Sequence, residues 1–175
     1  MLMKGLQIGL TLIELMVTIA IASILMMLAV PSFKNLLANY QIRTAAQAMH
    51  DGLQLARVEA IRRNERVIFT KDAQSGWTIT VESDSSVVQA RPHTEGSSAV
   101  TVTVTPSAAT KVTFDGLGRV KPNTGATASI TQLVMDVPTT MLAAADSKEL
   151  RITVSTGGAV RLCDPNAATG TATSC

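Results

Sequence analysis

The chain has 175 residues and a formal net charge of +2, which suits one modest domain with an extension and is too short for two full domains. So small a positive surplus does not by itself point to nucleic acid. Only two histidines, His50 and His93, and two cysteines, Cys163 and Cys175, are present. That leaves too few ligands for a zinc site if the cysteines pair. There is no G-x-S-x-G, no Gly-rich phosphate loop opening a helix and no suggestive acid pair. The sequence therefore predicts no enzyme, no cofactor, no metal and no small-molecule substrate.

The apolar content, 46% overall, is unevenly spread. Much of it lies in one block, Leu10 to Val30 (LTLIELMVTIAIASILMMLAV), whose only charge is Glu14. At ~1.5 Å per residue such a block spans about 31 Å as a helix, the thickness of a bilayer's hydrocarbon core. A secretory signal peptide has a shorter apolar region. An ordinary anchor fits the length but not Glu14, because a charge there costs on the order of 3 kcal/mol. Lys4 precedes the block, as the positive-inside rule expects of a cytoplasmic flank.

Gly9-Leu10-Thr11-Leu12-Ile13-Glu14-Leu15 resembles the type III signal of type IV pilins and type II secretion pseudopilins, G|FTLIEL, with the bar at the prepilin peptidase cut. The resemblance implies a leader of residues 1–9, cleavage between Gly9 and Leu10 and N-methylation of Leu10. Glu14 then stands fifth after the cut, at the family's glutamate. Leu10 replaces the usual Phe. Pro31 and Phe33 fall where pilins commonly place a proline and an aromatic. In that family Glu14 would pair with the N-terminal amine of a neighbouring subunit inside the filament's apolar core. Two charges that are each costly alone set the register there by pairing. The alternative is a Glu14 that merely snorkels to the membrane surface.

From Ser32 to Asn64 the pattern is helical and amphipathic. Ile42, Ala46, Met49, Leu53, Ala56 and Ala60 follow alternating steps of four and three, marking one apolar stripe. Lys34, Arg43, Asp51, Glu59 and Arg63 lie largely off it. Together with residues 10–30 this predicts one helix of roughly 55 residues, loosened or kinked at Pro31, which lacks a backbone donor. The stripe is expected to pack on a sheet, and His50, beside Met49, to sit at its solvated edge.

Beyond Asn64 the period becomes two. Candidate strands are Arg66–Lys71, Gly76–Glu82, Val87–Ala90, Ala99–Thr105, Lys111–Phe114, Ile130–Asp136, Glu149–Val154 and Val160–Cys163, separated by Gly, Pro and Asn turn signals. Strict alternation, as in VTVTVT, describes half-buried antiparallel strands. Leu142–Ser147 reads as a small, polar loop or single helical turn. Trp77, the only tryptophan, is expected to anchor the core between sheet and helix. Arg57, Arg62, Arg63 and Arg66 form a basic cluster at the helix end, where cations complement the negative pole of the helix.

Leu53–Val67 (LQLARVEAIRRNERV), Gly76-Trp77 and Thr113–Val120 (TFDGLGRV) resemble the GspH/FimT family, which holds the H-type minor pseudopilin of type II secretion and the FimT and FimU minor pilins. The tail Gly157–Pro165 (GGAVRLCDP) is similar to the GRxRLCDP-like stretch of the FimT/FimU branch. The resemblance covers essentially the whole chain. It implies an α+β fold, with a long N-terminal transmembrane and amphipathic helix packed on a small antiparallel β-sandwich or β-roll head. The parts would be leader 1–9, membrane helix 10–30, amphipathic continuation 31–64 and periplasmic head 65–175.

In a cytosolic chain Cys163 and Cys175 would be incidental thiols. In an exported one they would close a C-terminal disulfide loop. The implied role is a minor pilin that primes or caps a type IV pilus, with the type II secretion pseudopilin as the alternative. The implied partners are other pilins or pseudopilins, prepilin peptidase and the bacterial inner membrane. DNA at a pilus tip is a weaker expectation. Against the family's GRxR motif the chain reads Gly158-Ala159-Val160-Arg161, keeping only Arg161, while Arg151 on the preceding strand is a candidate second contact.

Overall fold

The computed structural model describes residues 11–175. Thr11 caps the first helix: its hydroxyl accepts the N–H of Glu14 at 3.3 Å, satisfying one of the free amides at a helix start. Helix α1 then runs Leu12–Arg63. It ends because Asn64 turns left-handed at φ 53°, with Asn64 N–H bonding Ile61 O and Glu65 N–H bonding Ala60 O, both at 3.2 Å. The sequence reading ran from Leu10 to Asn64; Leu10 lies outside the described residues, while Thr11 caps the helix and Asn64 turns out of it, so the helix is one residue shorter at each of these ends.

The chain divides into two compact units, to Leu36 and from Leu37. In the first, the helix from Leu12 to Leu36 exposes its large apolar side chains, among them Ile13, Met16, Ile24, Met27 and Phe33. Among the described residues no single helix is long and apolar enough to cross a membrane. Leu12–Met27 and Ser32–Arg63 meet that test only as a broken pair. The interval between them holds Pro31, where loosening was expected.

The second unit combines the rest of α1 with nine strands: β1 Val67–Lys71, β2 Trp77–Val81, β3 Val87–Arg91, β4 Thr101–Thr105, β5 Lys111–Phe114, β6 Val120–Lys121, β7 Gln132–Asp136, β8 Leu150–Val154 and β9 Val160–Cys163. They form a five-stranded sheet, β3-β2-β1-β5-β6, and a four-stranded sheet, β4-β7-β8-β9. Every pairing between strands is antiparallel. The chain is therefore α+β, and the eight expected strands are all present, with ends shortened by up to two residues except in β3, which runs one residue further, to Arg91. β6 was not legible in sequence, because two residues carry no period. Leu142 departs from the expected polar loop. It is buried in the core, in a segment of turns closed by Asp146 and Ser147 N–H groups on Ala143 O.

The predicted stripe is the centre of this unit. Ile42, Ala46, Met49, Leu53, Ala56 and Ala60 are all fully buried, joined by Ala38 and Ala45. They share one core with Val67, Phe69, Ile79, Val112 and Phe114 of the first sheet and Leu133, Met135 and Ile152 of the second. Register explains the clustering: Phe69 faces Ile79 and Val112 across its two neighbours, and Leu133 faces Ile152. Polar helix residues hold the loops. Asn39 Oδ1 accepts Lys148 N–H at 2.8 Å and its Nδ2 donates to Asp146 O, while Gln41 Oε1 accepts Ala99 N–H.

Three segments meet at the carbonyl of Gly118. Arg57 Nε donates to it at 3.1 Å, and the Gly158 backbone lies against it so closely that any Cβ there would overlap the oxygen. Gly158 also sits at φ +82°, a region that costs a non-glycine residue about 1–3 kcal/mol before any overlap. Gly158→Ala should therefore lower Tm by several degrees, since each kcal/mol moves a domain this size by roughly 2–4 °C. Thermal unfolding followed by circular dichroism checks this; an unchanged Tm would contradict the packing at Gly118.

Candidate functional site

Gly9 and Leu10, the expected cleavage and methylation positions, lie outside the described residues. Glu14 is exposed on the first helical turn, where a carboxylate complements the positive helix pole. It is the only charge from Thr11 to Phe33, on a surface of mostly apolar side chains with a few hydroxyls such as Thr18 and Ser23.

At the far end Cys163 and Cys175 form a disulfide, with Cα atoms 5.1 Å apart. The loop between them is tied further by Asp164 N–H to Thr173 O at 2.7 Å. Arg161 Nη2 donates to Ser174 O at 2.8 Å, so this arginine, though exposed, is used to hold the disulfide loop. Arg151 faces Cys163 across β8 and β9, and Arg161 faces Thr153. In an antiparallel pair this places both arginines on one side of the sheet. The structure thus brings the two candidate DNA contacts to the same face, but one guanidinium is engaged. Arg151 is half-buried, and its Nε finds no acceptor among the described residues.

The basic cluster does not form a common cationic surface. Arg62 and Arg63 converge on Glu59 at 2.7 and 2.9 Å, Arg66 pairs with Glu82 at 3.2 Å and Arg57 turns to Gly118. The hydrogen bonds from Arg62 and then Arg63 hold the Glu59 carboxyl down at about 2, against its ordinary 4.5. The Thr124 hydroxyl and Arg66 lower Glu82. In the β5–β6 turn, backbone N–H groups of Arg119 and Leu117 bond Asp115 Oδ1 and lower that carboxyl. This turn places Gly116 against Asn64, where a Cβ would lie 2.5 Å from the Asn64 side-chain oxygen. Sequence reasoning treats these residues as a cluster and a turn; neither pairing is visible from spacing.

His50 is half-buried and approaches only Asp51, at 3.3 Å. No group of three metal-ligating side chains occurs among the described residues. Trp77 is buried as expected, 3% exposed. Its ring lies against Gly52, where an added Cβ would stand 2.8 Å from Cε2, and 5.9 Å from the Phe69 ring.

The fold and the two ends define a class: a subunit with a long N-terminal helix, a two-sheet head and a prepilin-type start. The prokaryotic N-terminal methylation motif matches residues 6–30. The family described as type II transport protein GspH matches residues 45–169, and the chain belongs to that family of structural, non-enzymatic pilin-like subunits. Two crystal structures of the type IV minor pilin FimU from Pseudomonas aeruginosa strain PAO1 are similar to it. In space group P21 the identity is 18% and the TM-score 0.50, covering 72% of this chain and 93% of that one. In space group P65 the values are 17% and 0.48, covering 71% and 98%. At this identity the likeness concerns the fold. No curated protein sequence matches the chain.

The Glu59 pairing predicts an acid response. A carboxyl held lower in the folded than in the unfolded state stabilises the fold above its unfolded value near 4.5, and that stability is lost as pH falls towards 2. Glu59→Gln should flatten the decline of Tm between about pH 4.5 and 2 and change little at pH 7, where solvent screens these exposed arginines. Parallel Tm–pH curves for the two proteins would rule the pairing out as a contributor.

Proposed function

We propose that this chain is a membrane-anchored minor pilin that helps prime or cap a type IV pilus. The observation that carries the reading is the occurrence in one chain of the methylation motif over 6–30 and the GspH-family head over 45–169. Prepilin peptidase would remove residues 1–9 and leave Leu10 with a methylated amine. Residues 10–30 would hold the subunit in the inner membrane with residues 65–175 in the periplasm, an oxidising compartment that suits the Cys163–Cys175 bond. During assembly the exposed apolar helix would move from lipid into contact with the helices of other pilins.

In that setting Glu14 has one use that accounts for its cost. A carboxylate and an amine that are each expensive in an apolar core become tolerable as a pair, so the pair fixes how far each helix is inserted. The C-terminal disulfide loop, with its FimT/FimU-like tail, favours the pilus over secretion. The GspH description favours the alternative, a type II secretion pseudopilin. Deleting the gene separates them: lost pili with intact secretion supports the pilus, and the converse supports the pseudopilin. A DNA-receptor role has Arg151 and Arg161 on one face as its support.

Three outcomes follow from this reading. Mass spectrometry of protein from its native host should show a chain beginning at methylated Leu10; an intact Met1 would remove the basis of the proposal. Glu14→Ala should insert in the membrane as well as the wild type or better, since a charge costing on the order of 3 kcal/mol is gone, yet enter filaments poorly. Normal incorporation would show that Glu14 has no assembly role. Duplex DNA should bind the full chain in detergent no more tightly than about 10⁻⁶ M near physiological salt, the non-specific range. Submicromolar binding that Arg161→Ala abolishes would favour the DNA-receptor role.

A further inference from the structure

A strand at the edge of a sheet offers unpaired N–H and C=O groups, and proteins usually guard such edges with charges, bulges, very short strands or a covering segment. Among the described residues four strands lie at sheet edges: β3 and β6 in the first sheet, β4 and β9 in the second. Three of them are guarded. β3 carries Arg91, and its pairing with β2 shifts register at Ile79 and Thr80. β6 has two residues, one of them Lys121, and its Val120 N–H is taken by Thr156 O at 3.1 Å. β9 carries Arg161, whose guanidinium holds the disulfide loop beside it through Ser174 O.

β4 has none of these guards. It reads Thr101-Val102-Thr103-Val104-Thr105, and no charge occurs from Gly96 to Thr110. Pro106 stands beyond the strand. Apart from the ladder to β7 and the bonds of Thr131 to Thr105 O, no hydrogen bond from the described residues reaches the β4 backbone. The three threonines are exposed, while Val102 and Val104 are half-buried and lie against the core. Alternate backbone N–H and C=O groups therefore point away from β7 along five residues of strand-forming type.

The order of the side chains says what fits there. These five residues read the same in either direction. An antiparallel copy centred on Thr103 thus sets Thr101 opposite Thr105, Val102 opposite Val104 and Thr103 opposite itself. Threonines facing one another on the outer side can hydrogen-bond across the strands. The half-buried valines, facing one another beside the core, lose solvent contact. No charge opposes another. A two-fold contact needs a surface complementary to itself, and it closes at two copies because each then uses its one unguarded edge. We propose that β4 is a homotypic interface, through which two copies pair antiparallel over Thr101–Thr105 and join their four-stranded sheets into one of eight strands. So small an interface is transient in solution. It needs only the second unit, and it does not rest on the pilus reading.

Thr103 is exposed and would oppose its own copy, so a charge there separates two molecules without disturbing the head. Sedimentation of the full chain in density-matched detergent should show a monomer–dimer equilibrium over micromolar to millimolar protein. Thr103→Lys and Thr103→Glu should each weaken it about fivefold or more, because like charges then stand face to face, with thermal unfolding unchanged. An equimolar mixture of the two variants should recover a dimer at least as tight as the wild type. Val87→Lys, a charge at an exposed position of edge strand β3, should have no effect. If the charged variants do not fold, Thr103→Cys serves: oxidation should link two chains at 103, since facing Cα atoms in an antiparallel pair lie about 4.5–5.5 Å apart. A monomeric wild type, self-association that Thr103→Lys leaves unaltered, charged variants that stay apart when mixed, or pairing only with a different pilin subunit would each overturn the assignment.

Discussion

The second unit depends on one strip of helix surface. Ile42, Ala46, Met49, Leu53, Ala56 and Ala60 recur in steps of four and three, and these six are fully removed from solvent. Neither sheet can bury its inner face without that strip. Phe69, Ile79 and Phe114 on one side and Leu133, Met135 and Ile152 on the other belong to the same core as the helix residues. Alanines at 38, 45, 46, 56 and 60 keep the strip low, so large sheet side chains can lie against the backbone; Met49 and Leu53 fill the middle. At native packing density such a core does not absorb changes of volume freely. The head is thus inseparable from the C-terminal half of α1.

A second constraint fixes the ends of the sheets to the end of the helix. Gly118 offers its carbonyl to Arg57 and leaves room for Gly158, while Gly116 admits Asn64. The segments that most resemble the GspH/FimT family, Leu53–Val67, Thr113–Val120 and Gly157–Pro165, are those that meet here. Their shared residues therefore have a structural reason: two turns and a helix end approach too closely for side chains at 116 and 158. The glycine that opens the tail motif serves this joint, and its arginine serves the disulfide loop through Ser174.

This bears on what sequence can and cannot tell. The stripe, the strands and the cysteine pairing were legible because each follows a local rule: a period of 3.6, a period of two, or two thiols close together in one short tail. Pairings that depend on how distant segments come together were not. Nothing in the spacing of Arg57, Arg62, Arg63 and Arg66 says that one arginine would turn inward to a carbonyl and two would share Glu59. Leu142 looked like part of a polar loop because its neighbours are small and polar, yet one side chain in six reaches the core.

The two units follow opposite physical rules, and this contrast is what the proposed function explains. From Leu37 onward apolar side chains are largely gathered inside, and many cations have a carboxylate or carbonyl nearby. Before Leu37 the large apolar side chains face outward, and from Thr11 to Phe33 Glu14 is the only charge among them. In water that arrangement would expose a long apolar surface, of the kind that marks an interaction site or leads to aggregation. Surrounded by lipid or by other apolar helices the same surface is at ease, and only Glu14 remains to be explained. A lone carboxylate there is tolerable only with a cation close by. The proposed cut after Gly9 would create such a cation, a free amine at Leu10, in every processed subunit. The leader and Glu14 are then two parts of one device: removing residues 1–9 generates the partner that makes the carboxylate useful.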